Sequence, residues 1–111
     1  MSDTIRVCAF ADLSDGQCTL LDAKTAGWTD DIAVFRDGDR VYAINDTCTH
    51  EEASLSEGRL EDGVIECPQH QSRFDLQTGK VLAPPATVDT VAHLVDVRDG
   101  DVWLSPGTQP A

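Results

Sequence analysis

The chain has 111 residues, with 8 Lys and Arg against 20 Asp and Glu, and a formal charge of −12 at neutral pH. That length suits one domain and leaves no room for a separate substrate chamber. The charge argues against nucleic acid as a partner and favours solubility or attraction to a basic protein. No apolar run approaches the roughly 20 residues that cross a bilayer, and Met1 to Thr4 does not read as an export signal. No membrane partner is expected, and the expected location is the cytoplasm.

Apolar, β-favouring runs alternate with Asp-Gly and related turn signals at short intervals, so the expected fold class is all-β. Residues 5–10 form the first expected strand. Residues 20–26, ending at Gly27, read as a single helical turn or a loop, and no long helix is expected. The runs 32–35 and 41–44 are joined through Asp37-Gly38-Asp39, a loop suited to a hairpin because Gly and Asp tolerate positive φ. A second hairpin is expected from residues 59–60 and 64–66 around Glu61-Asp62-Gly63, and its second strand runs directly into Cys67-Pro68. Residues 73–76 and 81–82 flank a turn at 77–80; residues 88–97 and 102–104 flank another at 98–101. The last strand is expected to end near Ser105, with the polar tail beyond it frayed. Trp28 and Trp103 are expected to pack in or beside the core.

Chemistry concentrates at two cysteine–histidine pairs: Cys48-Thr49-His50, sixteen intervening residues, then Cys67-Pro68-Gln69-His70. Each pair follows an expected strand and opens a loop. Four cysteines could form two disulfides, but two of them stand beside histidines at short spacing, which favours metal ligation by Cys48, His50, Cys67 and His70. Two thiolates and two imidazoles satisfy a tetrahedral structural zinc. They equally suit an iron–sulfur cluster, for which thiolate is a soft anionic donor and imidazole a neutral one. Zinc would give a colourless protein, iron and sulfide a coloured one. Cys8 and Cys18 lie far in sequence from any histidine and are expected to be core or near-surface thiols. His93 has no cysteine at motif spacing and is expected to be structural.

The Cys-x-His and Cys-x-x-His pairs, extended by Pro68, Ser72, Phe74, Asp75, Thr78 and Gly79, resemble the Rieske family, and within it the ferredoxins of ring-hydroxylating oxygenases. The resemblance covers nearly the whole chain. It implies one [2Fe-2S] cluster, with both cysteines on one iron and both histidines on the other. The implied fold is an all-β, Rieske-like antiparallel β sandwich with a small cluster-binding subdomain. One domain would span 1–111, its cluster-binding subdomain covering about 45–84 and its scaffold 1–44 and 85–105. The rings of His50 and His70 would then lie at an exposed tip. The implied function is one-electron transfer by a monomer that is not itself an enzyme. Its electrons would pass from an NAD(P)H-dependent flavin reductase to a terminal aromatic-ring-hydroxylating oxygenase. The small Rieske-like subunit of assimilatory nitrite reductase shares fold and length, and stands as the alternative.

Departures from the family pattern refine these expectations. Respiratory Rieske proteins carry an extra cysteine after each ligand pair; those positions are Ala53 and Gln69 here, so their inter-loop disulfide cannot form. Ser72 matches a serine that bonds a cluster sulfide in high-potential members, whereas Phe74 replaces their tyrosine and has no hydroxyl. Gln71 takes the place of a common glycine. Two imidazoles move a cluster from about −400 mV into a window of roughly −150 to +300 mV. Glu51 and Glu52 disfavour an added electron, which points to the lower part of that window. The same residues with Glu57 are expected to steer basic partners.

Overall fold

The computed structural model describes residues 4–49, 52–69 and 71–110. Its strands are β1 (Ile5–Ala9), β2 (Cys18–Leu21), β3 (Ile32–Asp37), β4 (Arg40–Asn45), β5 (Arg59–Glu61), β6 (Val64–Glu66), β7 (Arg73–Asp75), β8 (Val81–Ala83), β9 (Ala92–Arg98) and β10 (Asp101–Ser105). They form one six-stranded sheet in the order β1-β10-β9-β4-β3-β2 and one four-stranded sheet in the order β5-β6-β7-β8. All pairings are antiparallel. Among the described residues, helix is confined to α1 (Ala23–Ala26) and short 3₁₀ turns. No helix among the described residues is long and apolar enough to cross a membrane.

The run Ile32-Ala33-Val34-Phe35 has no polar position, and a strand sends alternate side chains to opposite faces, so both faces must be covered. They are. Ile32 and Val34 join Leu13, Leu21, Val102 and Leu104 in one buried cluster. Ala33 and Phe35 join Leu55, Ile65, Phe74, Leu76 and the two cysteines Cys48 and Cys67 in the other. β3 therefore supplies part of the floor beneath the small sheet.

Turn chemistry sets how that small sheet is attached. Asp62 and Gly63, both at positive φ (50° and 74°), make the two-residue hairpin between β5 and β6, the conformation such tight hairpins require. The Gly63 N–H donates to Asp37 Oδ2 at the end of β3 (2.8 Å), and its carbonyl accepts from Leu76 N–H (2.9 Å).

Three segments differ from the sequence expectations. β2 was not foreseen as a strand: Leu20 and Leu21 extend it as the edge partner of β3, with Leu21 opposite Ile32. The helical turn then starts only at Ala23, where Asp22 caps it by accepting the Thr25 N–H (2.7 Å). Residues 88–91, expected to begin a strand, form a loop. There the backbone turns to other partners: Thr90 N–H donates to Gly79 O (2.8 Å), and the Asp89 carboxylate accepts from Val81 N–H (2.9 Å). The segment after Ser105 is tied down instead of frayed. Leu94 N–H donates to Thr108 O (2.6 Å) and Gly107 N–H to His93 Nδ1 (2.9 Å).

His93 is 1% exposed. Because Nδ1 accepts from Gly107, Nε2 carries the ring proton and donates it to Asn45 Oδ1 (2.8 Å), which also accepts from Trp28 Nε1 (2.8 Å). Trp28 meets the imidazole edge to face, with centroids 5.0 Å apart. This histidine is a structural joint between β9, β4 and the C-terminal segment.

Candidate metal centre

β4 ends at Asn45 and hands the chain to the first ligand loop; β6 ends at Glu66 and hands it to the second. The two loops close in the same way. Cys48 N–H donates to Ala53 O (2.9 Å), and Cys67 N–H donates to Ser72 O (2.7 Å), each bond reaching five residues onward. Thr47 pairs with Ser54 as an isolated bridge outside the first closure. Gln71 N–H returns to Cys67 O (3.2 Å) inside the second. Gln71 has φ of 65°, the left-handed conformation that glycine adopts without penalty, so the substitution keeps the glycine-like backbone at some strain.

A third segment braces both loops. Thr49 Oγ1 donates to Val88 O (2.5 Å), and the Ser72 hydroxyl accepts from the buried Ala86 N–H (2.9 Å). Since Ser72 is 1% exposed and its acceptor role is met, its hydroxyl proton remains to be given within the interior. Phe74 is fully buried and offers no hydroxyl.

Cys48 and Cys67 are buried within the apolar cluster that includes Leu55, Phe74 and Leu76. Neither Ala53 nor Gln69 can extend a disulfide between the loops, and no disulfide is present among the described residues. His50, His70 and Glu51 lie outside the described residues. Among those that are described, no group of three or more His, Cys, Asp or Glu side chains converges on a metal position. Cys8 and Cys18 are partly buried, and burial, the largest influence on each, pushes their thiols up. Cys18 donates to Ser56 O (3.2 Å). Two soft thiol donors, presented from matched loops in an apolar surround, fit an iron–sulfur cluster.

The family model for the Rieske [2Fe-2S] domain matches residues 3–98. The chain belongs to that family. The 3-phenylpropionate/cinnamic acid dioxygenase ferredoxin subunit of Escherichia coli (strain K12) is 42% identical over 108 residues, covering 96% of this chain and 97% of its own length. A chain in the complex of reduced oxygenase and oxidised ferredoxin in carbazole 1,9a-dioxygenase superimposes with a TM-score of 0.87 at 37% identity, over 100% of this chain and 99% of that one. The ferredoxin of carbazole 1,9a-dioxygenase from Nocardioides aromaticivorans IC177 gives 0.85 at 37% identity, over 95% and 99%. These Rieske relatives match end to end, which makes this chain an electron-carrying ferredoxin and not an oxygenase catalytic chain. Family membership carries a [2Fe-2S] site with it and displaces the structural-zinc reading.

Sequence reasoning missed two contributors to this Rieske site. Asp46 gave only a faint signal: an acceptor two positions before a cysteine, with hydroxyl residues Ser54 and Ser56 eight and ten positions later. Gly58 gave none. A Cβ there would lie 2.0 Å from Glu66 O and 3.1 Å from Leu55 O, so the exit of the first loop touches the strand that delivers Cys67. Its φ of −81° suits any residue; lack of space is what demands glycine. Gly58→Ala is expected to destabilise the protein by about 1–3 kcal/mol through this overpacking. The thermal midpoint, followed by circular dichroism, should fall by roughly 4–8 °C for each kcal/mol; an unchanged midpoint would show that the strands part freely here.

Proposed function

We propose that this protein is a soluble, cytoplasmic, monomeric carrier that passes single electrons from a flavin-dependent, NAD(P)H-oxidising reductase to a terminal ring-hydroxylating oxygenase. In this reading the chain is one domain over 1–111, with the ligand-bearing part at about 45–84, and Cys48, His50, Cys67 and His70 hold the cluster. The observation that carries it is the pair of equivalently closed cysteine loops in a chain that matches dioxygenase ferredoxin subunits over almost its entire length. When bound, the cluster supplies a centre that gains and loses one electron.

The protein's own residues do the rest. Leu55, Phe74 and Leu76 keep water from the two thiols, and the closures at Ala53 and Ser72 fix their backbones. Val88 (60% exposed), whose carbonyl accepts from Thr49 of the first loop, and Leu82 (53%) on β8 are exposed apolar residues, and Glu52 and Glu57 are exposed acids. Exposed apolar side chains and a net acidic surface suit brief docking to a basic partner.

Mixing the purified protein with a flavin reductase and an aromatic-ring dioxygenase should couple NAD(P)H oxidation to product formation, and omission of the protein should uncouple them. Turnover at limiting protein should slow steeply as ionic strength rises from about 0.01 to 0.15 M, because the screening length shrinks from about 30 to 8 Å. A flat salt response removes acidic steering. Stable co-purification with a large reductase chain would instead favour an assembly subunit.

A further inference from the structure

The first ligand loop is held from below by a carboxylate. Asp46 is only 5% exposed. Its Oδ2 accepts from Ser54 Oγ (2.5 Å) and its Oδ1 from Ser56 N–H (2.8 Å). Ser54 has one hydroxyl proton and gives it to the carboxylate, so across the 2.6 Å contact between the two serines Ser56 Oγ is the donor. The main chain adds one more bond to the clasp, Leu55 N–H to Asp46 O (2.7 Å), while Asp46 N–H is anchored to Asp31 O (2.8 Å) just before β3. With the Thr47–Ser54 bridge and the Cys48–Ala53 bond, each of residues 46–48 is joined to one or more of 53–56.

A buried carboxylate is costly unless its oxygens are met by donors. None of the ion pairs among the described residues involves Asp46. Among the described residues, the hydrogen-bond donors to its carboxylate both come from the loop, so the acid and the closed loop stabilise each other.

We propose that Asp46 is a positioning residue that closes the first ligand loop through Ser54 and Ser56 and thereby fixes the Cys48 thiol. This rests on the reading of Cys48 as a ligand. The thiol sits two residues from the clasp, on the strand side of a loop whose far side the carboxylate holds. Opening the clasp loosens Cys48 from Ala53 and residues 46–47 from 54–56, while both sheets keep their own pairings.

The test uses the holoprotein with Asp46→Ala, Asp46→Asn and Ser54→Ala. The rate at which an iron chelator bleaches the visible absorbance is measured, alongside g-values of the reduced protein and amide exchange at Cys48 and Ser56. Asp46→Ala should bleach about tenfold faster or more, the scale of a lost charged hydrogen bond, with shifted g-values and faster exchange. Asp46→Asn should recover most of the difference, because its amide oxygen can accept from Ser56 N–H and its NH₂ can donate to Ser54 Oγ. Ser54→Ala, which removes one bond and leaves the acid, should fall between; it carries the test if Asp46→Ala fails to fold. Wild-type bleaching and g-values in Asp46→Ala or in Ser54→Ala would overturn the proposal. So would Asp46→Asn bleaching as fast as Asp46→Ala, which would assign the effect to charge. A Cys48→Ser control separates the two readings: cluster retained there sinks the ligand assignment, whereas cluster lost there with Asp46→Ala unaffected sinks Asp46 alone.

Discussion

Cys48→Ser and Cys67→Ser, each made alone, are expected to yield protein that purifies without its iron and acid-labile sulfide. Serine is nearly isosteric with cysteine but presents a hard hydroxyl where the cluster calls for a soft thiolate. At 4% and 1% exposure, neither position lets water or a neighbouring thiol step in. Cys8→Ser and Cys18→Ser serve as controls and should keep the full complement, since their thiols lie on β1 and β2 and burial keeps them protonated. Iron and sulfide analysis of anaerobically prepared protein, with electron paramagnetic resonance after reduction, reads the result. Stoichiometric cluster in either loop variant would remove that cysteine from the ligand set. The corresponding variants of His50 and His70 complete the series.

The second large effect is a loss of stability in mild acid. Burial holds the His93 imidazole well below the ordinary histidine range, from 6.5 down to about 4, although the Asp30 carboxylate pulls in the opposite direction. Both ring nitrogens are committed in the neutral form, and a proton on Nδ1 would face the Gly107 N–H that it now accepts. Between those two pH values the unfolded chain binds a proton that the native protein refuses, so stability rises with pH across the window. The contribution is complete above about pH 6.5 and is lost as the pH falls toward 4, by about 1.4 kcal/mol for each unit and about 3 kcal/mol in all. Urea unfolding at pH 7.5 and 5 should therefore differ by about 2 kcal/mol from this group. His93→Gln, which can still donate to Asn45 and accept from Gly107, should flatten that part of the profile. Parallel profiles for the two proteins would show that another group carries the acid sensitivity.

The sequence was most legible where local chemistry and burial agree. Residues 32–35 and 41–44, separated by a Gly-Asp turn, could hardly be other than a hairpin, and the structure pairs Ile32 through Asp37 with Asn45 through Arg40. The Asp62-Gly63 turn was legible for the same reason. β2 was not, because its strand character comes from β3 beside it and one of its two leucines, Leu20, is 46% exposed. Val88 and Val91 misled in the other direction: their β-branched side chains suggested a strand, yet both are exposed on a loop held through its backbone. At the metal centre the spacing of four residues was enough to name the candidate donors. The clasp of Asp46 left only a faint trace in the spacing of Ser54 and Ser56, and the crowding at Gly58 depends on which segments meet, which no local pattern encodes.

β3 carries one further consequence. Because its two faces serve different clusters, a one-residue slip of the whole strand would exchange the occupants: Phe35 and Ala33 would leave the wall beside the cysteines, and the branched side chains of Ile32 and Val34 would arrive there. Point changes of size could be absorbed by neighbouring side chains, but a change of frame could not. Homologous chains should therefore vary in the lengths of their loops while keeping the residue count of this strand fixed.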